Sequence, residues 1–233
     1  MTAWLSPAQW ESVQLTLDVS TRAVLLAFPV AVAASWLLTR PRLPGRPLLD
    51  ALVHLPLVLP PVVTGWLLLV VFGMEGPVGG LLWRWFGMRL AFTTNGASLA
   101  CAVMILPLMV RAIRLSMEAV DPGLMAAAAG LGASPLDRFA TVLLPLAAPG
   151  LLAALVSGYA TSLGEFGAVI TFAADIPGQT RTLPLAIFAA LQVPGGEAQA
   201  ARLAAVSLVL ALAGLLLAGL LARRLGRLLG TRD

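Results

Sequence analysis

Glu165 is the residue of this chain whose chemistry most needs explaining. It sits in GEFG, Gly164 to Gly167, inside a run apolar enough to enter a bilayer. An acid at that depth is costly unless it faces a bundle interior, a water-filled cavity or a partner. Ser157 and Thr161 precede it at four-residue spacing, so an uninterrupted helix would carry all three on one face. Such a stripe suits a gate or a subunit-interface lock; the alternative is a hydrogen bond to backbone freed by the flanking glycines. A carboxylate is a poor ligand for an anion, so Glu165 is not read as a substrate-binding group. Pro60, Pro61 and Thr64, in VHLPLVLPPVVTG at residues 53–65, form a second candidate. The prolines remove backbone donors and must break or kink a helix, which a bilayer tolerates only where protein or a water-filled cavity satisfies the freed carbonyls. A kinked span beside a pathway is one reading, and bending against a neighbouring helix is the other.

No catalytic set accompanies these residues. An intramembrane protease needs a pair such as serine with histidine or two aspartates, and His54, the only histidine, lies in a different apolar segment from Glu165. Nothing near His54 completes a ligand set, so no metal is expected. Cys101 is the only cysteine, which excludes a disulfide within one chain and reads as small core packing. The chain has no lysine, whereas the nucleotide-binding P-loop uses one to reach the β and γ phosphates. An ATP-driven process involving this chain must therefore take its motor from a separate polypeptide, and no cofactor of its own is expected here.

The elements that must position these residues are membrane helices. Hydrophobic residues make up 59% of the 233 and charged residues 11%, with a mean hydropathy of +0.93, which indicates an all-α polytopic membrane protein surrounded by lipid. The net charge of +4 comes from arginines that flank apolar runs; they are topology signals rather than a nucleic-acid surface. Residues 1–14 carry Trp4 and Trp10 but no basic n-region, so they read as an interfacial segment and not as a cleaved signal peptide.

One stretch reads as a folded object outside the spans. In DPGLMAAAAGLGASPLDRFATVLLP, residues 121–145, Asp121 can cap a helix opened by Pro122, and Gly132 is suited to end it in the left-handed conformation. Ser134, Pro135 and Asp137 then start a second helix with the makings of a capping box. Two short helices meeting at a glycine elbow between membrane spans predict a docking surface for another protein. A glycine-punctuated amphipathic loop with no partner is the alternative.

The elbow resembles the loop of the inner-membrane permeases of binding-protein-dependent ABC importers, written EAA, three residues, G, nine residues, I, one residue, LP. Ala127, Ala128, Gly132, Leu144 and Pro145 fall in that spacing, with Val142 at the isoleucine position and Ala126 where the family usually has glutamate. The ATPase-coupling set implied by the resemblance is Ala126, Ala127, Ala128, Gly132, Ala133, Ser134 and Pro135. Four further stretches, VHLPLVLPPVVTG, PLMVRAIRLSME, SLGEFGAVITF and IPGQTRTLPLAIFAALQVPGGE, are similar to molybdate permeases of bacterial ABC importers, with sulfate permeases as near relatives. That likeness implies a type I importer transmembrane domain in the bacterial inner membrane. It further implies a homodimer that receives molybdate from a periplasmic binding protein and is driven by two cytoplasmic ABC ATPase subunits. Tungstate or sulfate are the alternatives within this architecture; a membrane-embedded enzyme or a passive channel are the alternatives outside it.

The expected organisation is about five spans within residues 15–222 plus the coupling elbow, followed by a basic tail at 223–233. The spans are Leu15 to Leu38, Ala51 to Phe72 with proline kinks, Ala97 to Val110, which is short unless Arg111 and Arg114 snorkel to the cytoplasmic surface and extend it, Leu146 to Phe172 interrupted at Pro149-Gly150 and at GEFG, and Leu203 to Leu221. The apolar Leu183 to Leu191 is too short to cross and is expected as a re-entrant or surface helix. Placing the N-terminus in the periplasm and the C-terminus in the cytoplasm puts ten arginines on the inner side and five on the outer. A cysteine introduced between Arg40 and Arg46, and a tag after Asp233, should therefore be reachable only from the cytoplasm; labelling of either from outside intact cells would refute this topology.

Overall fold

The computed structural model describes residues 4–40 and 43–228. Arg42 of the basic loop, Arg232 of the tail and the first three residues of the N-terminal segment lie outside the described residues. Helix α1 runs Pro7–Leu38. It begins earlier than the hydropathy suggests because Ser6 and Gln9 form a capping box, with the Gln9 amide bonded to the Ser6 hydroxyl and the Ser6 amide to the Gln9 carbonyl. Most of the expected interfacial segment is thus the first turns of this helix.

Helices α2, Arg46–Val58, and α3, Pro61–Phe72, replace the expected kinked second span. Their axes differ by 119°. Leu59 and Pro60 are both extended, with ψ of 142° and 136°, because the residue before a proline is pushed out of the helical region and here two prolines stand in a row. Pro56 stays inside α2. Helix α4, Pro77–Phe86, is short and followed by Gly87 at φ 62°. Helix α5, Thr94–Glu118, extends beyond the expected Ala97 to Val110. Its last turns carry Arg114, which bonds Asp50 of α2 at 3.2 Å and Glu118 at 2.8 Å.

The elbow consists of α6, Pro122–Gly130, and α7, Pro135–Arg138, then a π-helical stretch over Phe139–Leu143 and the single turn α8, Leu144–Leu146. Helix α9, Ala148–Leu163, leaves at 69° to the segment before it. Pro149 lies in its opening turn rather than interrupting it, a position where its missing amide proton costs nothing. After the GEFG break comes α10, Gly167–Phe172, then α11, Leu183–Leu191, and α12, Glu197–Leu228. Among the described residues three helices are long and apolar enough to cross a membrane, or up to five spans if each bent pair counts as one. The short α11 packs between α1 and α12, its Leu183 amide donating 2.7 Å to the buried Thr16 hydroxyl.

Helix α5 is the axis of the bundle. Arg22 of α1 bonds Asn95 and Ser35 of α1 bonds the Val110 carbonyl, so α1 and α5 run parallel. Ala23, Ala27 and Ala31 recur every four residues on α1, each at most 3% exposed, and meet Ala97, Cys101 and Ile105 in one buried cluster. Helix α9 runs antiparallel on another side of α5 and presents Gly150, Ala154, Gly158 and Ser162. Small residues at four-residue spacing let membrane helices approach closely, where packing and not hydrophobicity drives association.

The two buried glycines of α9 make different demands. A Cβ on Gly150 would lie 2.2 Å from Ser116 Cβ and 2.8 Å from the Ala112 carbonyl, whereas one on Gly158 would meet only the Met109 thioether, at 2.9 Å. Met109 can swing aside and the α5 backbone cannot. Gly150→Ala should cost roughly 1–3 kcal/mol of overpacking and lower the thermal midpoint of the purified protein clearly more than Gly158→Ala. Equal midpoints for the two variants would contradict close α5–α9 contact at Gly150.

Candidate functional site: coupling elbow and broken helices

The elbow closes as its residue types require. Asp121 accepts from the Gly123 amide at 2.8 Å. Gly132 adopts φ 87°, its amide bonds the Ala129 carbonyl and the Ala133 amide bonds the Ala128 carbonyl at 3.1 Å. Those two bonds are the Schellman pattern, which satisfies carbonyls that a helix end leaves free. The Ser134 and Asp137 capping box is formed in both directions, and the Ser134 hydroxyl and amide hold the exposed Asp137 carboxyl below the usual carboxylate range.

No residue of α6 is buried. Leu124, Leu131 and Leu136 are 48%, 90% and 67% exposed, while Met125, Phe139, Leu143 and Leu144 of the same elbow pack on the core of the bundle. One aromatic contact ties it to the spans: the Phe139 and Trp36 rings lie 4.8 Å apart, and Arg40 stacks over Trp36 at 3.8 Å. The π-helical stretch adds a residue to the turn that carries Phe139, a distortion frequent at functional sites. Nothing in the spacing of Trp36, Arg40 and Phe139 marks this contact, because the three come together only through folding.

The two broken helices meet along the bundle. A Cβ on Gly167 would lie 2.6 Å from Pro61 Cβ, and one on Gly65 would lie 2.7 Å from the Ala168 carbonyl. Pro61 and Gly65 are therefore brought against the segment that follows Glu165, with Pro60 exposed at the break itself. Thr64 is buried and its hydroxyl has no hydrogen-bond partner among the described residues. Glu165 lies past the end of α9, because Leu163 closes that helix and Gly164 follows as its cap. The expected shared face of Ser157, Thr161 and Glu165 is thus interrupted. Ser157 bonds back to the Ala153 carbonyl at 2.7 Å, Thr161 is exposed on α9, and the Glu165 carboxylate accepts from the Ala168 amide at 3.0 Å, in the first turn of α10. Phe166 packs its ring 5.1 Å from that of Phe188, linking the break to α11.

His54 faces its own helix, with Nδ1 2.9 Å from the Asp50 carbonyl and 3.3 Å from the Asp50 carboxylate. Among the described residues no three potential ligands come together to hold a metal. Among the described residues the arrangement offers an exposed elbow, an aromatic link to the spans, and a pair of helix breaks packed on each other. That is a transport subunit's equipment. The family model described as the binding-protein-dependent transport system inner membrane component matches residues 24–227, and the chain belongs to that family.

Its relatives include the molybdenum transport system permease protein ModB of Escherichia coli K12, 52% identical over 219 residues that span 94% of this chain and 96% of that one. The sulfate transport system permease protein CysT of Salmonella typhimurium is 40% identical over 179 residues, 76% of this chain and 64% of that one. A crystal structure of a bacterial ABC transporter involved in alginate import superposes with a TM-score of 0.75 at 18% identity, covering 94% of this chain and 80% of that one. This last likeness shows the fold.

The Glu165 geometry separates two roles by experiment. An amide can accept from the Ala168 amide as a carboxyl oxygen does, so Glu165→Gln should keep insertion and thermal stability, whereas Glu165→Ala should lose a hydrogen bond of about 0.5–1.5 kcal/mol. If the carboxylate charge also acts at a gate, the Gln variant will show altered uptake at wild-type stability. Wild-type uptake in Glu165→Gln would leave the residue as the cap of α10 alone.

Proposed function

We propose that two copies of this chain form the translocation path of an ATP-driven molybdate importer in the bacterial inner membrane. Each elbow docks one of two cytoplasmic ABC ATPase subunits, and a periplasmic binding protein delivers the oxyanion to the outer face. In this reading the N-terminus is periplasmic and the C-terminus cytoplasmic, the chain holds no cofactor, and ATP is used by the partner subunits. The observation that carries it is the elbow, a preorganised two-helix unit that leaves Leu124, Leu131 and Leu136 exposed among the described residues. One elbow serves one motor, and a two-fold pair uses the same surface twice. Molybdate is favoured because the relative named for molybdenum transport matches nearly the whole chain, whereas the one named for sulfate transport matches a shorter part at lower identity.

Mechanically, motor closure on ATP draws the two elbows together. The motion enters the spans through Phe139 on Trp36 and through the 69° bend at Ala147. Pro60, Pro61, Thr64 and Glu165, at the two packed breaks, lie where rocking spans would open and close a path. The motor can shift this equilibrium only by binding the two states with different affinity.

Gly132 provides the test. A Cβ there meets nothing within 4 Å inside the chain, so Gly132→Val acts through the left-handed backbone, at roughly 1–2 kcal/mol, and on whatever docks outside. Spans whose hydrogen bonds are satisfied within the bilayer withstand that cost. The variant should insert and dimerise but lose its ATPase on purification and fail to support growth at limiting molybdate, while Ala126→Glu should be tolerated. Retention of both ATPase and uptake by Gly132→Val would remove the elbow as the coupling surface.

A further inference from the structure

We propose that Arg138 is the charged anchor of the elbow and that it pairs with a carboxylate at the edge of the docking groove of the ATPase subunit. The proposal rests on the reading of the elbow as the motor-docking surface and names the chemistry of that contact. Three charged side chains lie in the elbow: Asp121, Asp137 and Arg138. The two acids are already engaged, Asp121 with the Gly123 amide and Asp137 with the Ser134 hydroxyl and amide. Arg138 is not. Its Nε is covered from solvent without a hydrogen-bond acceptor, and none of its nitrogens lies within 4 Å of a carboxylate among the described residues. Among the described residues Arg22 pairs with Asp18, Arg114 with Asp50 and Glu118, and Arg181 with Asp175; Arg138 is the arginine of the elbow and has no such pair.

The chain itself covers that Nε, so an outside partner meets the guanidinium through its terminal nitrogens, which have no carboxylate within 4 Å among the described residues. The surroundings specify its chemistry. Arg138 closes α7 two residues after Leu136, and Leu131 stands exposed at the neighbouring turn, so the complementary surface is apolar with an acid at its edge. A planar guanidinium pairs best with a carboxylate, which can accept two parallel bonds. A protein groove fits better than a lipid surface. A helix that lies on lipid needs a polar face carrying lysine or arginine, and α6, PGLMAAAAG, has no charged or polar side chain at all. Its small alanines suit close approach to another backbone. Ala126 adds no charge to the contact, and Asp121 and Asp137 keep theirs turned to their own helix starts, which leaves Arg138 as the elbow's unengaged charge.

The test uses the full permease purified with its ATPase subunit, comparing retention of the ATPase across a salt series for wild type, Arg138→Gln, Arg138→Glu and Arg138→Lys, each first shown to be monodisperse and of wild-type thermal stability. Truncating one side of a desolvated charge pair weakens binding on the order of thirtyfold or more. The Gln variant should show that loss, the Glu variant should lose the ATPase outright, and the Lys variant should retain part of the affinity with a steeper salt dependence. Binding by Arg138→Glu within about threefold of wild type would overturn the proposal. The same holds if its only defect is a changed dependence on anionic lipid. If Arg138→Glu binds normally while Gly132→Val does not, the elbow remains the docking surface and only the charge assignment fails; if both bind normally, the elbow reading itself falls.

Discussion

The close approach of α5 to α1 and α9 is the constraint on which the remaining geometry depends. In lipid, apolar side chains gain little by leaving one apolar environment for another, so helices hold together through contact area and backbone proximity. Ala23, Ala27 and Ala31 on α1 and Gly150, Ala154 and Gly158 on α9 make that proximity possible on two sides of one helix. With α1 parallel and α9 antiparallel to α5, the C-terminal ends of α1 and α5 share one end of the bundle with the start of α9. The elbow, which joins α5 to α9, is thereby placed beside Trp36 at the end of α1.

The breaks follow from a second demand, that backbone groups in a bilayer be satisfied by protein or by water in a cavity. Two of the breaks, at Leu59-Pro60 and at Gly164 to Phe166, cover one another. Gly65 and Gly167 allow it, since a Cβ at either would strike the opposite strand of backbone or proline ring. Glu165 closes the second break by bonding the Ala168 amide. A polar side chain at membrane depth is therefore part of the structure whatever further role its charge has.

Few contacts join the elbow's end of the bundle to the spans. Arg114 is held by Asp50 and by Glu118 at the last turn of α5, just before the elbow begins. It is the ion pair among the described residues that joins elements distant in sequence; the other pairs stay within one element or one loop. Together with the Trp36 and Phe139 stack it connects α2, α1 and the elbow at one end of the bundle. A rigid elbow with two caps and a Schellman end can pass on a displacement instead of absorbing it.

Local chemistry alone determined part of this protein. Asp121, Gly132, Ser134 and Asp137 announce two short helices and the break between them because caps and left-handed glycines act over a few residues. Leu183 to Leu191 announces a helix too short to cross for the same reason, and the absence of lysine excludes a P-loop before any fold is known. The Ser6 and Gln9 box was equally local, and its signal lay outside the apolar run that hydropathy follows. Tertiary structure decided the rest. Two prolines require a break but not its 119°, which depends on what covers the freed groups. Four-residue spacing put Glu165 with Ser157 and Thr161 only on an unbroken helix, and Gly164 ends it. Arg114 extends α5 because Asp50 is there to meet it, and Arg138 is left without an acceptor because both nearby acids bond their own helix starts. These outcomes depend on which groups meet through space, and periodicity along the chain carries no record of that.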